Sequence, residues 1–344
     1  MANEEKTPIA RRDFAGTPVG AIGLGCMGMS WAYAPSERDD DASVALIREA
    51  LDLGVTFLDT AQVYGDGHNE TLVGRALAGG DRDRAVLATK TGLVVDRDAT
   101  GGMRRDGSPE HVRRSAEESL RRLGTDTVDL FYLHRVDPAV PLAETWGAMA
   151  ELAAEGKVRH LGLSEVTVAQ AAEAHAIHPV AAIQSELSLW TRDAMGAPGG
   201  AAGAFVGDTA ADDGPGDVVG WCAANGAAFV PFSPLGRGFL TGTVTAADFE
   251  DTDFRGRNPR FQEEALKANL RIVDVVRAVA ERHGATPAQV AIAWTLAQGE
   301  HVIPIPGTKK PRYLRENAGA AAVDLTPADL AELDGLPQAV GGRY

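Results

Sequence analysis

Short apolar runs alternate with longer amphipathic runs along most of this chain. VTFLD (55–59) precedes ETLVGRALA, and AVLATK (85–90) precedes PEHVRRSAEESLRRLG. VDLFYLH (128–134) precedes LAETWGAMAELAAEG, and VRHLGLS (158–164) precedes VAQAAEAHA. AAIQSE (181–186), AAFVPFS (227–233) and HVIPIPG (301–307) are three more apolar runs, and PVGAIGLG (18–25) opens the series. Runs without strict polar alternation suit strands buried on both faces of a parallel sheet. Eight βα units in 344 residues predict an α/β fold, a (β/α)8 TIM barrel. A doubly wound sheet is the rival that pattern alone leaves standing. RRDFAGTPVGAIG predicts a small hairpin ahead of the barrel, with Ala15 and Gly16 at its turn. No stretch reads as a linker, so residues 1–344 are expected to form one domain. The segment 195–216, rich in Gly, Ala and Asp, breaks the rhythm. It predicts a flexible surface loop after strand 6, better suited to decoration than to a lid.

IGLGCMG (22–28) contains a literal G-x-G-x-x-G at Gly23, Gly25 and Gly28. In a Rossmann unit a helix starts at the third glycine and holds a pyrophosphate on its N-terminal N–H groups. Here Gly28 is followed by MSWAYAPSERDDD, with Pro35 and no 3.6-residue apolar period, and the first helix-like run begins near Asp39. The fingerprint reading is rejected. The glycines are expected instead at the end of barrel strand 1, where side chains would crowd a bound group.

Charge narrows the partners. Lys and Arg total 33 against 48 Asp and Glu, a net charge of −15. That balance repels polyphosphate backbones and argues against nucleic acid, even for FRGRNPRF (254–261), read as a loop over the site. Any anion site must come from a local cluster of cations. Cys26 and Cys222 show neither metal-ligand spacing nor a disulfide framework. His175 and His178 form H-x-x-H without a third ligand, so a surface pair is expected and no metal. MANEEKTPIARRD lacks an apolar core, so no secretory signal is expected, and no run of about 18 apolar residues occurs. A soluble, cytoplasmic protein without a membrane partner is the expectation; its oligomeric state is left open.

Several strands finish on residues that are costly to bury without a partner: Asp59, Lys90, His134, Ser164, Gln184 and Ser233. In a barrel those ends converge on one rim, where active sites lie. Tyr64 follows Asp59 by five residues, so a carboxylate, a phenol, an ammonium and an imidazole would surround one space. This set makes a proton donor. A free tyrosine has a pKa of about 10, too high for an efficient acid near neutrality. Lys90 is expected to lower it, Asp59 to keep the ammonium paired, and His134 to orient the oxygen being protonated. No convincing serine or cysteine nucleophile is visible.

Taken in order, FLDTAQVYGDGHNETLVGRAL, LATKTG, DLFYLHRVD, LGLSEV, PFSPLGRGFLTG and IPIPGTKKPRYLREN resemble the motifs of the aldo-keto reductase superfamily, from about residue 16 to 317. The resemblance implies that Asp59, Tyr64, Lys90 and His134 are the catalytic tetrad, with Tyr64 the acid. It also implies NADPH bound on the barrel rim, and a small-molecule carbonyl substrate. HRVD and SEV resemble the bacterial and fungal branch that reduces aromatic aldehydes and dicarbonyls.

Two segments support the cofactor. Thr308, Lys309, Lys310 and Arg312 gather where a helix is predicted to start near Pro311. Cations there oppose the helix dipole unless an anion binds. The resemblance assigns Thr308, Lys309 and Arg312 to the 2′-phosphate, beside Gly307, with Glu316 and Asn317 near the adenine. Gly236 and Gly238 permit backbone approach to a pyrophosphate, and Arg237 adds charge. The resemblance further implies that Phe232 stacks on the nicotinamide and that Ser233, Leu235 and Arg237 follow the pyrophosphate. Ser164 and Gln184 would hold the carboxamide, and Met27 would border the cofactor. Glu165 stands where many members have Asn, and a carboxylate cannot donate to the carboxamide oxygen. Trp31 and Trp190 could line an aromatic-friendly pocket or simply pack. Two other functions remain: a Schiff-base aldolase using Lys90, and a cofactor-binding regulatory subunit of the channel β-subunit type.

Overall fold

The computed structural model describes residues 9–96, 102–196, 216–244, 249–250 and 253–343. The chain begins with a hairpin, β1 (Arg11–Phe14) against β2 (Thr17–Gly20), in which Phe14 pairs with Thr17 across Ala15 and Gly16 as the sequence predicts. The apolar run that follows is shorter as a strand than expected. Thr17–Gly20 belongs to the hairpin, and only β3 (Leu24–Gly25) joins the barrel.

The remaining barrel strands are β4 (Phe57–Asp59), β5 (Val86–Thr91), β8 (Val128–Leu133), β9 (Val158–Ser164), β10 (Val180–Glu186) and β11 (Ala228–Phe232). They form one parallel sheet in the order β11-β10-β9-β8-β5-β4-β3. The predicted eighth strand, HVIPIPG, closes the circle without a regular ladder. Pro304 and Pro306 cannot donate. The remaining N–H groups do: Ile303 N to Phe229 O at 2.8 Å and Ile305 N to Pro231 O at 3.0 Å. Gly23 N donates to Pro304 O at 2.9 Å, and Gly25 bridges Gly307 in parallel. The fold is therefore the (β/α)8 barrel.

Inside the barrel, Phe57, Val86, Ala88, Leu130, Tyr132, Ala182, Ala228, Val230, Ile303 and Ile305 pack with Phe14 and Val19 of the hairpin. Period-two alternation sends their neighbours outward against the helices. Above this apolar layer the same inward register reaches Asp59, Lys90, Ser164, Gln184 and, just beyond β8, His134.

The outer helices start where local chemistry prescribes. α1 (Asp40–Asp52) is capped by Asp39, whose carboxylate accepts from Ala42 N, and buries Leu46, Ile47, Ala50 and Leu51 on one stripe. After α2 (His68–Leu77), α3 (Pro109–Leu123) has Ser108 as its cap and Pro109 in its first turn. It ends at Gly124 with φ +67°. Thr167 and Gln170 form a capping box for α5 (Val168–Ile177), which follows α4 (Leu142–Ala154). The others are α6 (Val218–Asn225), α7 (Glu263–Arg282), α8 (Pro287–Leu296), α9 (Pro311–Gly319) and α10 (Pro327–Asp334).

One element was not foreseen. β6 (Leu93–Asp96) and β7 (Gly102–Arg105) pair antiparallel between β5 and α3, and Leu93, Val95 and Met103 pack in the cluster that contains Tyr64. The predicted flexible loop lies, from 197 to 215, outside the described residues. Among the described residues no helix is long and apolar enough to cross a membrane.

Candidate active site

The glycines of the opening motif serve the barrel seam. A Cβ on Gly23 would lie 2.8 Å from Phe57 O, and one on Gly25 would lie 2.9 Å from Ile305 O. At these two positions the first strand lies too close to its neighbours for a side chain, so packing of the barrel by itself calls for glycine there. Gly28 sits in a 3-10 turn (Met27–Met29) with nothing nearer to its would-be Cβ than Tyr33 at 3.7 Å. No α-helix starts there.

Strand ends bring Asp59, Lys90 and His134 together, and Tyr64 folds in from the turn after β4. The Lys90 ammonium donates to Asp59 Oδ1 at 2.5 Å, to Thr60 O at 2.9 Å and to the Tyr64 hydroxyl at 3.2 Å. All three of its protons therefore have acceptors. Burial works against its charge, but Asp59 and Tyr64 outweigh that and hold the ammonium above its ordinary pKa. Burial lifts the Asp59 carboxyl, opposed by Lys90 and by Gln184, which donates to Oδ2 at 2.7 Å. With four good hydrogen bonds around it, the pair stands as carboxylate and ammonium.

Tyr64 accepts from Lys90, so its own proton points onward. The expectation that Lys90 lowers its pKa holds only for the lysine's own contribution. Burial is the larger effect and pushes the phenol up from its ordinary value, with Lys90 opposing and Asp59 adding. The hydroxyl consequently stays protonated through the neutral range. His134 packs edge-on to the Tyr64 ring, centroids 5.8 Å apart. Burial first, then Lys90 and Arg135, hold its imidazole well below the ordinary histidine range, so it is neutral. Trp31 stacks on Tyr64 with centroids 5.9 Å apart, and Met27 packs against the same cluster. Trp31 thus lies directly beside the phenol. Trp190 does not: it stacks on Phe239 at 4.4 Å, meets Phe261 edge-on and is buried under Gly236. Packing is its role.

The proposed cofactor residues form an arc around the rim. Ser164 Oγ accepts from Arg135 Nη1 at 3.0 Å, which leaves the hydroxyl proton available. Phe232 caps the barrel interior. Ser233, Gly236, Arg237 and Gly238 all have positive φ, between 51° and 95°, and turn the chain sharply beside Leu235. The Arg237 guanidinium points inward, to Glu186 Oε2 at 3.1 Å and Arg343 O at 3.0 Å, rather than to the outer face of that loop. Glu165 is likewise committed. Its carboxylate accepts from Glu186 N at 2.9 Å and from Arg343, which ties it to the neighbouring strand and to residue 343.

α9 starts at Pro311 as predicted. Lys309 reaches across to the carbonyls of Tyr33 (3.0 Å) and Ala34 (2.8 Å). Burial, with Arg38, Lys310 and Arg255 nearby and Glu37 opposing, lowers its pKa. Lys310 pairs with Glu37 at 2.8 Å, while Gly307 and Arg312 are exposed. Glu316 is half-buried and Asn317 buried on the same helix. The turn at 254–261 docks on this side, with Phe254 N donating to Ala32 O at 3.2 Å. His175 accepts from Val180 N and packs on Trp221, and no metal-ligating cluster occurs among the described residues.

The sequence profile of the aldo/keto reductase family matches residues 21–337. The chain belongs to that family, and with it to the oxidoreductases that act on carbonyl groups. A probable aldo-keto reductase 1 of Glycine max is 42% identical over 332 residues, covering 96% of this chain and 89% of its own. A glycerol dehydrogenase from Gluconobacter oxydans superposes with a TM-score of 0.79 at 31% identity, covering 94% of each chain. An aldo-keto reductase from Klebsiella pneumoniae, solved in complex with NADPH, superposes at 0.67 and 27% identity, covering 95% of this chain and 94% of its own.

Proposed function

We propose that this protein is an NADPH-dependent reductase of aldehydes and ketones, with aromatic aldehydes and dicarbonyls the preferred class. The observation that carries the reading is the Lys90–Tyr64 contact at 3.2 Å beneath a neutral His134. When bound, NADPH supplies the hydride. Tyr64 gives its proton to the carbonyl oxygen. Lys90, already hydrogen-bonded to that phenol, stabilises the phenolate left behind, and Asp59 keeps the lysine charged and fixed. Neutral His134 offers an N–H to the same oxygen and fixes its approach. Trp31, stacked beside Tyr64, gives a flat wall suited to an aromatic substrate.

The donor set fits the cofactor. Arg38, Arg255 and Lys310 all lie within electrostatic reach of Lys309, in a chain of net charge −15. With Thr308 and Arg312 beside them, they suit a phosphate monoester. The turned backbone at 233–238 presents a loop that a pyrophosphate can approach closely, and Ser164 keeps a hydroxyl for the carboxamide. Phe232 would stack on the nicotinamide, and Glu316 and Asn317 would border the adenine.

A Schiff-base role for Lys90 is disfavoured because three hydrogen bonds and a raised pKa leave no free amine. The deciding experiment follows NADPH consumption by the purified protein with aromatic aldehydes and dicarbonyls, with NADH in parallel. Turnover much faster with NADPH supports the reading. Tight NADPH binding without turnover of any carbonyl would favour a regulatory subunit.

A further inference from the structure

Beside the catalytic group, and sharing no residue with it, lies a buried ionic cluster. It holds Glu165, Glu186 and Asp193 against Arg237, Arg260 and Arg343. Arg343 is its hub. Its Nη2 donates to both oxygens of Glu165, at 2.7 and 2.8 Å, and its Nε donates to Glu186 Oε2 at 2.7 Å. Glu186 takes Arg237 on that same oxygen, and Asp193 stands 3.8 Å from Arg343. The side chains of Glu165 and Glu186 are 3% and 1% exposed, too buried to leave either charge unpaired.

The segment carrying Arg343 is itself held in place. Val340 exchanges two hydrogen bonds with the Asn269 side chain, Arg260 donates to Gly341 O, and Asn258 and Arg237 donate to Arg343 O. This lays the 340–343 backbone against the rim.

The two acids that Arg343 joins each control one side of the cleft. Glu165 directly follows Ser164 and has φ +54°, a left-handed conformation a glutamate adopts only when its surroundings hold it. Its carboxylate is held from two directions, by Glu186 N and by Arg343. Glu186 sits two residues after Gln184 and holds Arg237, another left-handed residue at φ +59°, in the middle of the 233–238 turn. Buried ion clusters contribute little net stability compared with well-packed apolar residues, so geometry is the better reason for this one.

We infer that Arg343 is a positioning residue for the cofactor: by joining Glu165 to Glu186 it fixes Ser164 and the 233–238 turn at the spacing a bound dinucleotide requires. The inference rests on the reading of the rim as an NADPH site. Arg343 acts through the two glutamates and Arg237, with no contact to the reacting atoms. Its planar fork engages both acids at once, a geometry a lysine cannot reproduce.

The test compares the unaltered chain with Arg343→Met and Arg343→Lys. NADPH affinity would be followed by quenching of tryptophan fluorescence, and kcat at saturating NADPH with an aldehyde the unaltered chain turns over. Arg343→Met should weaken NADPH binding by about tenfold or more while kcat at saturation stays within about threefold, and Arg343→Lys should fall between. Unchanged NADPH affinity in the folded fraction of either variant, whatever its melting temperature, overturns the inference and leaves the reductase reading intact. If the methionine variant does not fold, the lysine variant decides alone by the same split. Absence of NADPH binding by the unaltered chain overturns both.

Discussion

Gln184 donates its amide to Asp59 Oδ2 at 2.7 Å, across the barrel interior from one strand to another 125 positions earlier. The side chain expected to grip the nicotinamide carboxamide is therefore also a support for the Asp59 carboxylate. Gln184→Leu should lower stability by about 1–3 kcal/mol, the usual loss when a buried charged group loses a hydrogen bond. It should also lower kcat/KM by about 10- to 100-fold, because Asp59 would no longer be held square to Lys90. Urea unfolding alongside steady-state kinetics separates the two. Lost stability with unchanged kinetics would make Gln184 a packing residue only.

Tyr64→Phe keeps the ring stacked on Trp31 and removes the donor. NADPH binding should persist while kcat drops by about 10²–10⁴-fold, the range for removal of a general acid. Near-normal turnover would reassign the proton donor.

The directions of the pKa shifts predict the pH profile of reduction. His134 is held neutral by burial and two nearby cations, so no protonation break belongs to it in the ordinary histidine range. Burial raises Tyr64 from 10.0, so the donor keeps its proton throughout the neutral range. kcat/KM should be flat from about pH 6 to 9 and decline only on the alkaline side. A sigmoid centred near neutrality would contradict both assignments.

Glu186 gives an acid-side prediction. Burial alone would raise its pKa, but Arg237 and Arg343 reverse the sign and bring it from 4.5 down to about 2. A carboxyl depressed in the folded state contributes stability that is complete above its unfolded pKa. That contribution disappears as pH falls through the folded value. Glu186→Gln should therefore cost about 2–4 kcal/mol at pH 7, and the gap to the unaltered chain should narrow between about pH 4.5 and 2. Urea midpoints at several pH values measure this, and a gap independent of pH would overturn it.

Both cysteines are buried, and burial raises the Cys26 thiol to about 12 and Cys222 higher still. Neither forms thiolate in the folded protein near neutrality. A disulfide reagent should find no reactive thiol until denaturant is added, then titrate two. Rapid labelling of the native chain would show that one of these sites opens.

Much of this was legible because it repeats at short range. Lys90 stands two and four residues after Ala88 and Val86, so period two alone aims it into the barrel above apolar neighbours. Asp59 and His134 follow the same logic at the ends of their runs. The rest depended on pairings with no local signature. Arg343 and Glu186 are 157 positions apart, and nothing periodic links them. β6 and β7 were hidden because VVDRDATGGMRR mixes charges with glycines and resembles a connection. HVIPIPG was placed correctly but promised a regular strand, since composition weighed its apolar residues and not the two donors its prolines lack. Glu165 appeared as a departure at a ligand position; only the arginine facing it shows what the carboxylate holds.

The prolines of that last segment leave the barrel with a lightly stitched join. Few backbone bonds tie 301–307 to its neighbours, and where Gly25 meets Gly307 there is no side chain to interlock. Thr308 and Lys309 follow directly, so a dinucleotide gripped there and at 233–238 would bridge the join between 301–307 and β11. Such a ligand would work as a hoop, its binding energy added to the resistance of the whole barrel against heat.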